Sequence, residues 1–276
     1  MPELTSTMQS LALTQDQLAA ITEKVAHYLT QVGTETGHYG AVIPLSGGMD
    51  TGALAFVAKR AFGDALVAVT VTEDGVSLEG DVLDASEIAN MAGIQREVVS
   101  INEIMAAYSK RQPRKFFGDF LRASSNLLKS RVRTSLLYFN AEALNFLVLS
   151  SLTKTDFLLG YMVKYGDSAA DVYPFAQLYK TQVKQLAEYL GVPQRVTRKP
   201  PSQGLWQGQS DEMEIGLKVA QIDELLFLVN ELQVPVEGAV ASLKVDGNRA
   251  RALLQRADKN REWLKVANQC PIFPLS

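Results

Sequence analysis

Cysteine is nearly missing from this chain: Cys270 is the only one in 276 residues. A disulfide framework within the chain is excluded, as is a metal cluster built on thiolates. A reducing cytoplasm suits such a composition. Histidine is almost as scarce. His27 and His38 are the only two; they read as part of a helix and its connector, and neither is placed for general-base work. An excess of basic charge is also lacking, since 27 Lys and Arg stand against 30 Asp and Glu, a formal net charge of −3. No basic field is available to wrap nucleic acid, so an anionic substrate must be gripped locally. No apolar run approaches the ~20 residues of a membrane span. The opening Met-Pro-Glu-Leu-Thr-Ser-Thr shows neither the basic region nor the apolar core of a signal peptide. Internal repeats and low-complexity tracts are absent as well. The expectation is a soluble cytoplasmic protein.

What is present is an ordinary globular composition, 47% hydrophobic and 21% charged. Apolar residues at Leu18, Ile21, Val25, Leu29 and Val32 have helical spacing. Thr14 or Asp16 is the candidate cap, and Gly33 and Gly37 are stop signals. Residues 1–15 are polar and expected to be loosely ordered. Buried strands are expected at 40–45, 66–72, 95–101 and 145–150, with helices at about 51–62, 79–91, 116–144, 153–161 and 181–190. Strands alternating with helices at this spacing predict parallel βαβ units with right-handed crossovers. Residues 195–209, rich in Pro, Gly, Ser and Gln, read as a long loop. The remainder reads as helices at about 211–231, 236–245 and 247–267. One domain with a helical C-terminal part is the expected organisation.

The segment richest in chemistry is Ile43-Pro-Leu-Ser-Gly-Gly-Met-Asp-Thr-Gly52, between a strand and a helix. Its paired glycines let backbone N–H groups approach a ligand closely, and the helix behind adds unsatisfied donors and a partial positive charge. Ser46 and Thr51 contribute hydroxyls. Asp50 beside a phosphate is tolerable where Mg²⁺ lies between them. The segment is not a Walker A loop, whose Gly-Lys-Ser/Thr ending is missing, nor the dinucleotide fingerprint. A tight turn made of small residues is the alternative.

Ser46-Gly-Gly-Met-Asp-Thr51 resembles the Ser-Gly-Gly-x-Asp-Ser loop of enzymes that split ATP between its α and β phosphates. That group includes NAD, GMP and asparagine synthetases and tRNA thiolation enzymes. The middle of the chain narrows the choice. Lys129-Ser-Arg-Val-Arg133, Leu159-Gly-Tyr-Met-Val-Lys-Tyr-Gly-Asp167, Ala169-Ala-Asp171, Tyr179-Lys-Thr-Gln182, Lys199-Pro-Pro-Ser202 and Trp206-Gln-Gly-Gln-Ser-Asp-Glu212 follow in one order. Together they resemble the motifs of the ammonia-dependent NAD synthetases, over nearly the whole length of the chain.

The resemblance implies a doubly wound parallel sheet flanked by helices, with ATP at the carboxyl ends of the strands. It implies ATP-dependent amidation of deamido-NAD through an acyl-adenylate, with release of AMP and pyrophosphate. Ammonia is the implied nitrogen donor, because residues 1–45 are too few for a glutaminase domain ahead of the loop. By resemblance, ATP is held by Ser46, Gly47, Gly48, Asp50, Thr51, Thr72, Thr153 and Ser202. Mg²⁺ is held by Asp50 and Asp156, and Lys164, Lys180 and Asp171 serve catalysis. Arg131, Arg133, Lys164 and Asp171 bind the dinucleotide, although Arg131 and Arg133 also read as a solvated helix face. Asp211 and Glu212 read as a helix start behind Ser210. A homodimer is implied, with the 116–144 helix as its interface. Five departures from the family pattern stand out. Leu127 replaces an asparagine, Asp156 a glutamate and Ser168 a glycine; Gly204 occupies a position that is often acidic; Lys265–Pro271 lacks a His-Lys-Arg run. They leave open a relative that adenylates another carboxylate or uses another amine, or one that binds nucleotide without turnover.

Overall fold

The computed structural model describes residues 10–111 and 119–264. Residues 1–9, the expected helix start at Phe116, the Lys265–Pro271 stretch and Cys270 lie outside the described residues. Helix α1 (Gln15–Thr36) begins in a capping box at Thr14, whose Oγ1 accepts from the Gln17 amide at 3.2 Å. It ends at Gly37, in the left-handed region, and Gly33 stays inside it. Strands β1 (Ala41–Pro44), β2 (Leu66–Thr72) and β3 (Gln95–Ser100) alternate with α2 (Met49–Phe62) and α3 (Glu79–Ala92). A short helix, α4 (Asn102–Ser109), then α5 (Asp119–Leu144), lead to β4 (Leu147–Val148).

The sheet is parallel, in the order β3-β2-β1-β4, with Ala41 opposite both Leu66 and Leu147. Its central strands are mostly apolar because both faces are covered, and the buried Thr70 of β2 donates its hydroxyl to Leu45 O at 2.7 Å. Ala41 and Ile43 face α1, α2, α3 and a later helix at Lys180–Tyr189, in a core that includes Ile21, Leu54, Ile88 and Leu186. Val42, Val67 and Val148 face Leu137 and Ala141 of α5. The strand expected at 145–150 is shorter, because Ser150 turns its amide to Val172 O at 2.9 Å and Leu149 bridges Val172.

The C-terminal part contains α6 (Lys154–Leu159), α7 (Lys180–Tyr189), α8 (Gln194–Thr197), α9 (Asp211–Ile215), α10 (Val219–Asn230), α11 (Val236–Leu243) and α12 (Gly247–Leu264). The single helix expected over 211–231 is two, broken where Gly216 adopts a φ of 75°. A second core joins Leu158 and Tyr179 to Ile222, Leu225, Leu226, Phe227 and Leu253. Helix α7 spans the two cores: Tyr179 at its head enters the helical one, and Val183 and Leu186 enter the sheet core. Among the described residues no helix is long and apolar enough to cross a membrane.

Candidate active site

Because β1, β2 and β4 run parallel, their carboxyl ends share one edge of the sheet, the edge at which open α/β sheets bind ligands. The phosphate-loop candidate lies there. Gly47 has a φ of 80°, and a Cβ on it would stand 2.1 Å from Asp81 O, so only glycine fits against α3. Gly48 caps α2 without a side-chain hydrogen bond, which leaves the first-turn donors of that helix for a ligand. Thr51 Oγ1 holds the turn, donating to Gly48 O at 3.0 Å and standing 3.2 Å from Ser46 Oγ. Thr72 ends β2 at the same edge.

The strongest electrostatic feature is Lys180, the first residue of α7 and only 6% exposed. Its Nζ lies 2.9 Å from Asp156 Oδ1 and 3.2 Å from Asp50 Oδ2. Burial works against the charge on this ammonium, but Asp156 and Asp50 outweigh burial and hold its pKa above the ordinary lysine value. Burial pushes the Asp50 carboxyl up, and Lys180 offsets part of that effect. Asp211, the first residue of α9, belongs to the same cluster. It is buried, its carboxyl is pushed up to about 6 by burial, and it contributes to the field on Lys180.

Asp156 is the third helical residue of α6 and serves its capping box. Its Oδ2 accepts from the Thr153 amide at 2.8 Å and from Thr153 Oγ1 at 2.7 Å. Thr153 is wholly buried in that role. Thr153, expected to contact ATP, makes a structural contact in this structure that fixes Asp156. Asp50 differs, since its Oδ1 is buried without a hydrogen-bond partner, and Asp211 Oδ1 is in the same condition. An orphaned carboxylate oxygen beside a phosphate loop fits a divalent cation. Among the described residues no cluster of three or more His, Cys, Asp or Glu side chains could hold a metal ion by itself. Phosphate oxygens would have to complete the shell.

The residues expected to bind the dinucleotide are disposed differently. Arg133 donates to Gln203 O at 3.3 Å and Gly204 O at 2.7 Å, and Lys129, one helical turn before it, donates to Leu205 O at 3.1 Å. Two cations of α5 thus grip three successive carbonyls of the long loop. Lys129 also pairs with Glu73 at 2.9 Å. Burial pulls the Arg133 guanidinium below its ordinary value. Arg131 donates from Nε to Lys164 O at 3.0 Å, and the exposed Lys164 ammonium lies 5.1 Å from the Tyr165 ring centroid. Asp171 accepts from the Val148 amide at 2.7 Å and from Tyr138 Oη at 3.1 Å, and so braces β4. Ser202 Oγ accepts from the Gly204 amide at 3.1 Å, inside the loop itself. Lys199 anchors the start of that loop to Asp81 and Asp84 of α3.

In the sequence Asp211 reads as a helix start, and Lys129 carries no signal of its own. Nothing local marks Asp211, whose neighbours in the cluster come from residues 50, 156 and 180. As a whole the site offers open helical N–H donors for phosphates, a fixed ammonium, carboxylates with an unsatisfied oxygen, and a loop tied down across one side.

A family model described as NAD synthase matches residues 21–267. The NH(3)-dependent NAD(+) synthetase of Archaeoglobus fulgidus is 34% identical over 242 residues, 87% of this chain and 92% of that one. The solved structure of NMN synthetase from Francisella tularensis shares 28% identity at a TM-score of 0.76, covering 91% of this chain and 97% of that one. The NH3-dependent NAD synthetase of Campylobacter jejuni subsp. jejuni, solved with a nitrate ion, shares 25% identity at a TM-score of 0.73, covering 91% and 98%.

Proposed function

The chain belongs to the NAD synthase family, and from that premise we propose that it amidates deamido-NAD to NAD with ATP and ammonia. One observation carries the reading beyond family membership: Lys180 is held between Asp50 of the phosphate loop and Asp156 of α6, beside the open N-terminus of α2. Splitting ATP at its α phosphate develops negative charge on the α phosphate and on departing pyrophosphate. Fixed cations and aligned N–H groups at that point stabilise the transition state.

The reaction has two steps. The nicotinate carboxylate of deamido-NAD attacks the α phosphorus, the bond to the bridging oxygen breaks, and pyrophosphate departs with that oxygen. Ammonia then adds to the acyl carbon, loses a proton, and AMP leaves with the acyl C–O electron pair. The first turn of α2, with Ser46, Gly47, Gly48 and Thr51, receives the phosphates, and Lys180 offsets their charge. Asp50, with Asp156 behind it and Asp211 nearby, is the candidate holder of Mg²⁺, which when bound would neutralise phosphate charge. Lys129 and Arg133 keep the 203–205 backbone over the site and limit access of water to the acyl-adenylate. Lys164 and Asp171 remain the candidates for contact with the dinucleotide. A single domain, a cytoplasmic setting and a homodimer packed through α5, which exposes Phe139, complete the proposal.

A second reading keeps the chemistry and shortens the substrate to a mononucleotide. It is favoured by the likeness to a protein named NMN synthetase and by the engagement of Arg131 and Arg133 with backbone carbonyls. One assay separates the two. The full chain is incubated with ATP, Mg²⁺, ammonium and either deamido-NAD or nicotinate mononucleotide, and pyrophosphate and amide product are measured. Preferred turnover of deamido-NAD is expected. Preferred turnover of the mononucleotide would move the assignment to the second reading, and turnover of neither would defeat both.

A further inference from the structure

The heads of α6 and α7 meet at one carboxylate from a third helix. Asp223 of α10 has no accessible surface, and its helix neighbours Ile222, Leu225 and Leu226 are buried apolar residues. Its Oδ1 accepts from Thr155 Oγ1 at 2.6 Å, and its Oδ2 accepts from the Thr181 amide at 2.7 Å. Thr155 Oγ1 in turn accepts from the Lys180 amide at 2.9 Å. Both threonines that meet Asp223 adjoin the Lys180 cluster: Thr155 precedes Asp156, and Thr181 follows Lys180.

We propose that Asp223 is a positioning residue for the adenylation step, setting Lys180 and Asp156 at the separation at which one ammonium spans both site carboxylates. The inference rests on the function proposed above and goes beyond it to a residue that touches no reactant. Three physical points carry it. A buried carboxylate is expensive unless hydrogen bonds and favourable charge offset it. Here the offset comes from donors in the first turns of two helices, where a negative charge is favoured. Filling the core does not require the charge, because a leucine or asparagine has similar bulk. Asparagine cannot do the same work, since its amide has one accepting atom and would turn an N–H₂ toward a donor. Lys180 reaches Asp156 from another helix, so the geometry of that pair depends on how the two helix heads are joined.

The test uses the full chain with Asp223→Asn, Thr155→Val and Thr155→Ser, and measures kcat and the KM for ATP. Asp223→Asn and Thr155→Val are expected to lower kcat by about tenfold or more while the KM for ATP stays within about twofold. Thr155→Ser, which restores the hydroxyl, is expected to recover most of the loss. A folded Asp223→Asn protein with kcat near the parent value overturns the proposal, as does equal impairment of Thr155→Ser and Thr155→Val. Should Asp223→Asn fail to fold, the threonine pair carries the same decision.

If the parent chain turns over neither substrate, the functional reading fails separately, and a second readout still tests the positioning. Lysine acetylation by an amine-reactive ester is followed by mass spectrometry. Lys180 is expected to be protected in the parent and several-fold more reactive in Thr155→Val, with Lys59 and Lys218 unchanged. Unchanged protection of Lys180 would sink the proposal.

Discussion

The two ends of the site use cations in opposite ways. At the phosphate loop, Lys180 faces the carboxylates of Asp50 and Asp156. Across the site, Arg133 of α5 faces the carbonyls of Gln203 and Gly204, while Lys129 joins Leu205 O to the Glu73 carboxylate. An ammonium between carboxylates is fixed, because leaving would strand buried negative charge. A guanidinium on neutral carbonyls is held less firmly, because a carbonyl offers a partial negative charge where a carboxylate or phosphate offers a full one. Full opposite charges hold Lys180 at one end, and carbonyl dipoles hold Arg133 at the other. Arg133, expected from the sequence to bind phosphate, is engaged by the loop in this structure.

The comparison breaks most severely at Lys180. Lys180→Ala is expected to lower kcat by about 100- to 1,000-fold. The melting temperature should drop by about 10 °C, since breaking a buried pair costs roughly 3–5 kcal/mol and a chain of this size loses about 2–4 °C per kcal/mol. Adding Asp50→Asn to that variant should restore part of the stability and none of the activity. Thermal melts and steady-state kinetics on the same preparations decide it, and a Lys180→Ala protein of full stability would mean that the pair is not fixed.

A smaller effect is expected at the loop end. Arg133→Ala should raise the KM for deamido-NAD by about tenfold, the size of one lost hydrogen bond from a charged group to the loop backbone, while the KM for ATP stays within about twofold. Hydrogen exchange at residues 203–205 should quicken in the same variant. Slow exchange in Arg133→Ala would show that the loop is held by something other than this grip.

The smallest effect concerns pH. Burial raises the Asp211 carboxyl to about 6, above the value near 3.8 of an unfolded aspartate. The folded chain therefore favours the neutral acid. That contribution to stability is full below the unfolded value and is lost as pH rises through about 6. Asp211→Asn keeps the neutral form at every pH. Its melting temperature should exceed that of the parent by a few degrees at pH 7.5, and the gap should close toward pH 4. A gap that stays constant with pH would remove Asp211 from the buried cluster.

Much of this was legible in the chain. The phosphate loop is contiguous, so its strand, its glycines and its helix could be read together, and the 66–72 run, apolar but for Thr70 and Thr72, announced a buried strand. The boundaries of α1 were narrowed by local signals to Thr14 or Asp16 at its start and Gly33 or Gly37 at its end, and Thr14 and Gly37 are the ones used. The Lys180 cluster was legible only in part. Asp50, Asp156, Lys180, Asp211 and Asp223 are drawn from five helices, and no spacing rule joins them. Asp223 lies in Val-Ala-Gln-Ile-Asp-Glu-Leu-Leu, where a charged residue reads as one side of a half-exposed helix. Only the packing of α10 on two other helix heads turns it inward. Helix α4 was missed for a different reason: it has no buried residue, so it leaves no apolar periodicity to detect.

The placement of β1 between β2 and β4 has a consequence for synthesis. Ala41 meets Leu66 a few dozen residues later, but it must wait for Leu147 to close its other side. Until then the central strand of the sheet is an open edge, the kind of surface on which nascent chains associate wrongly. At about 5–20 residues per second, on the order of ten seconds separate emergence of the phosphate loop from emergence of Lys180 and Asp223. A ribosome therefore carries a loop shaped for phosphate well before it carries the ammonium and the carboxylate that would complete the machinery, and the half-made enzyme has no means to spend the ATP around it.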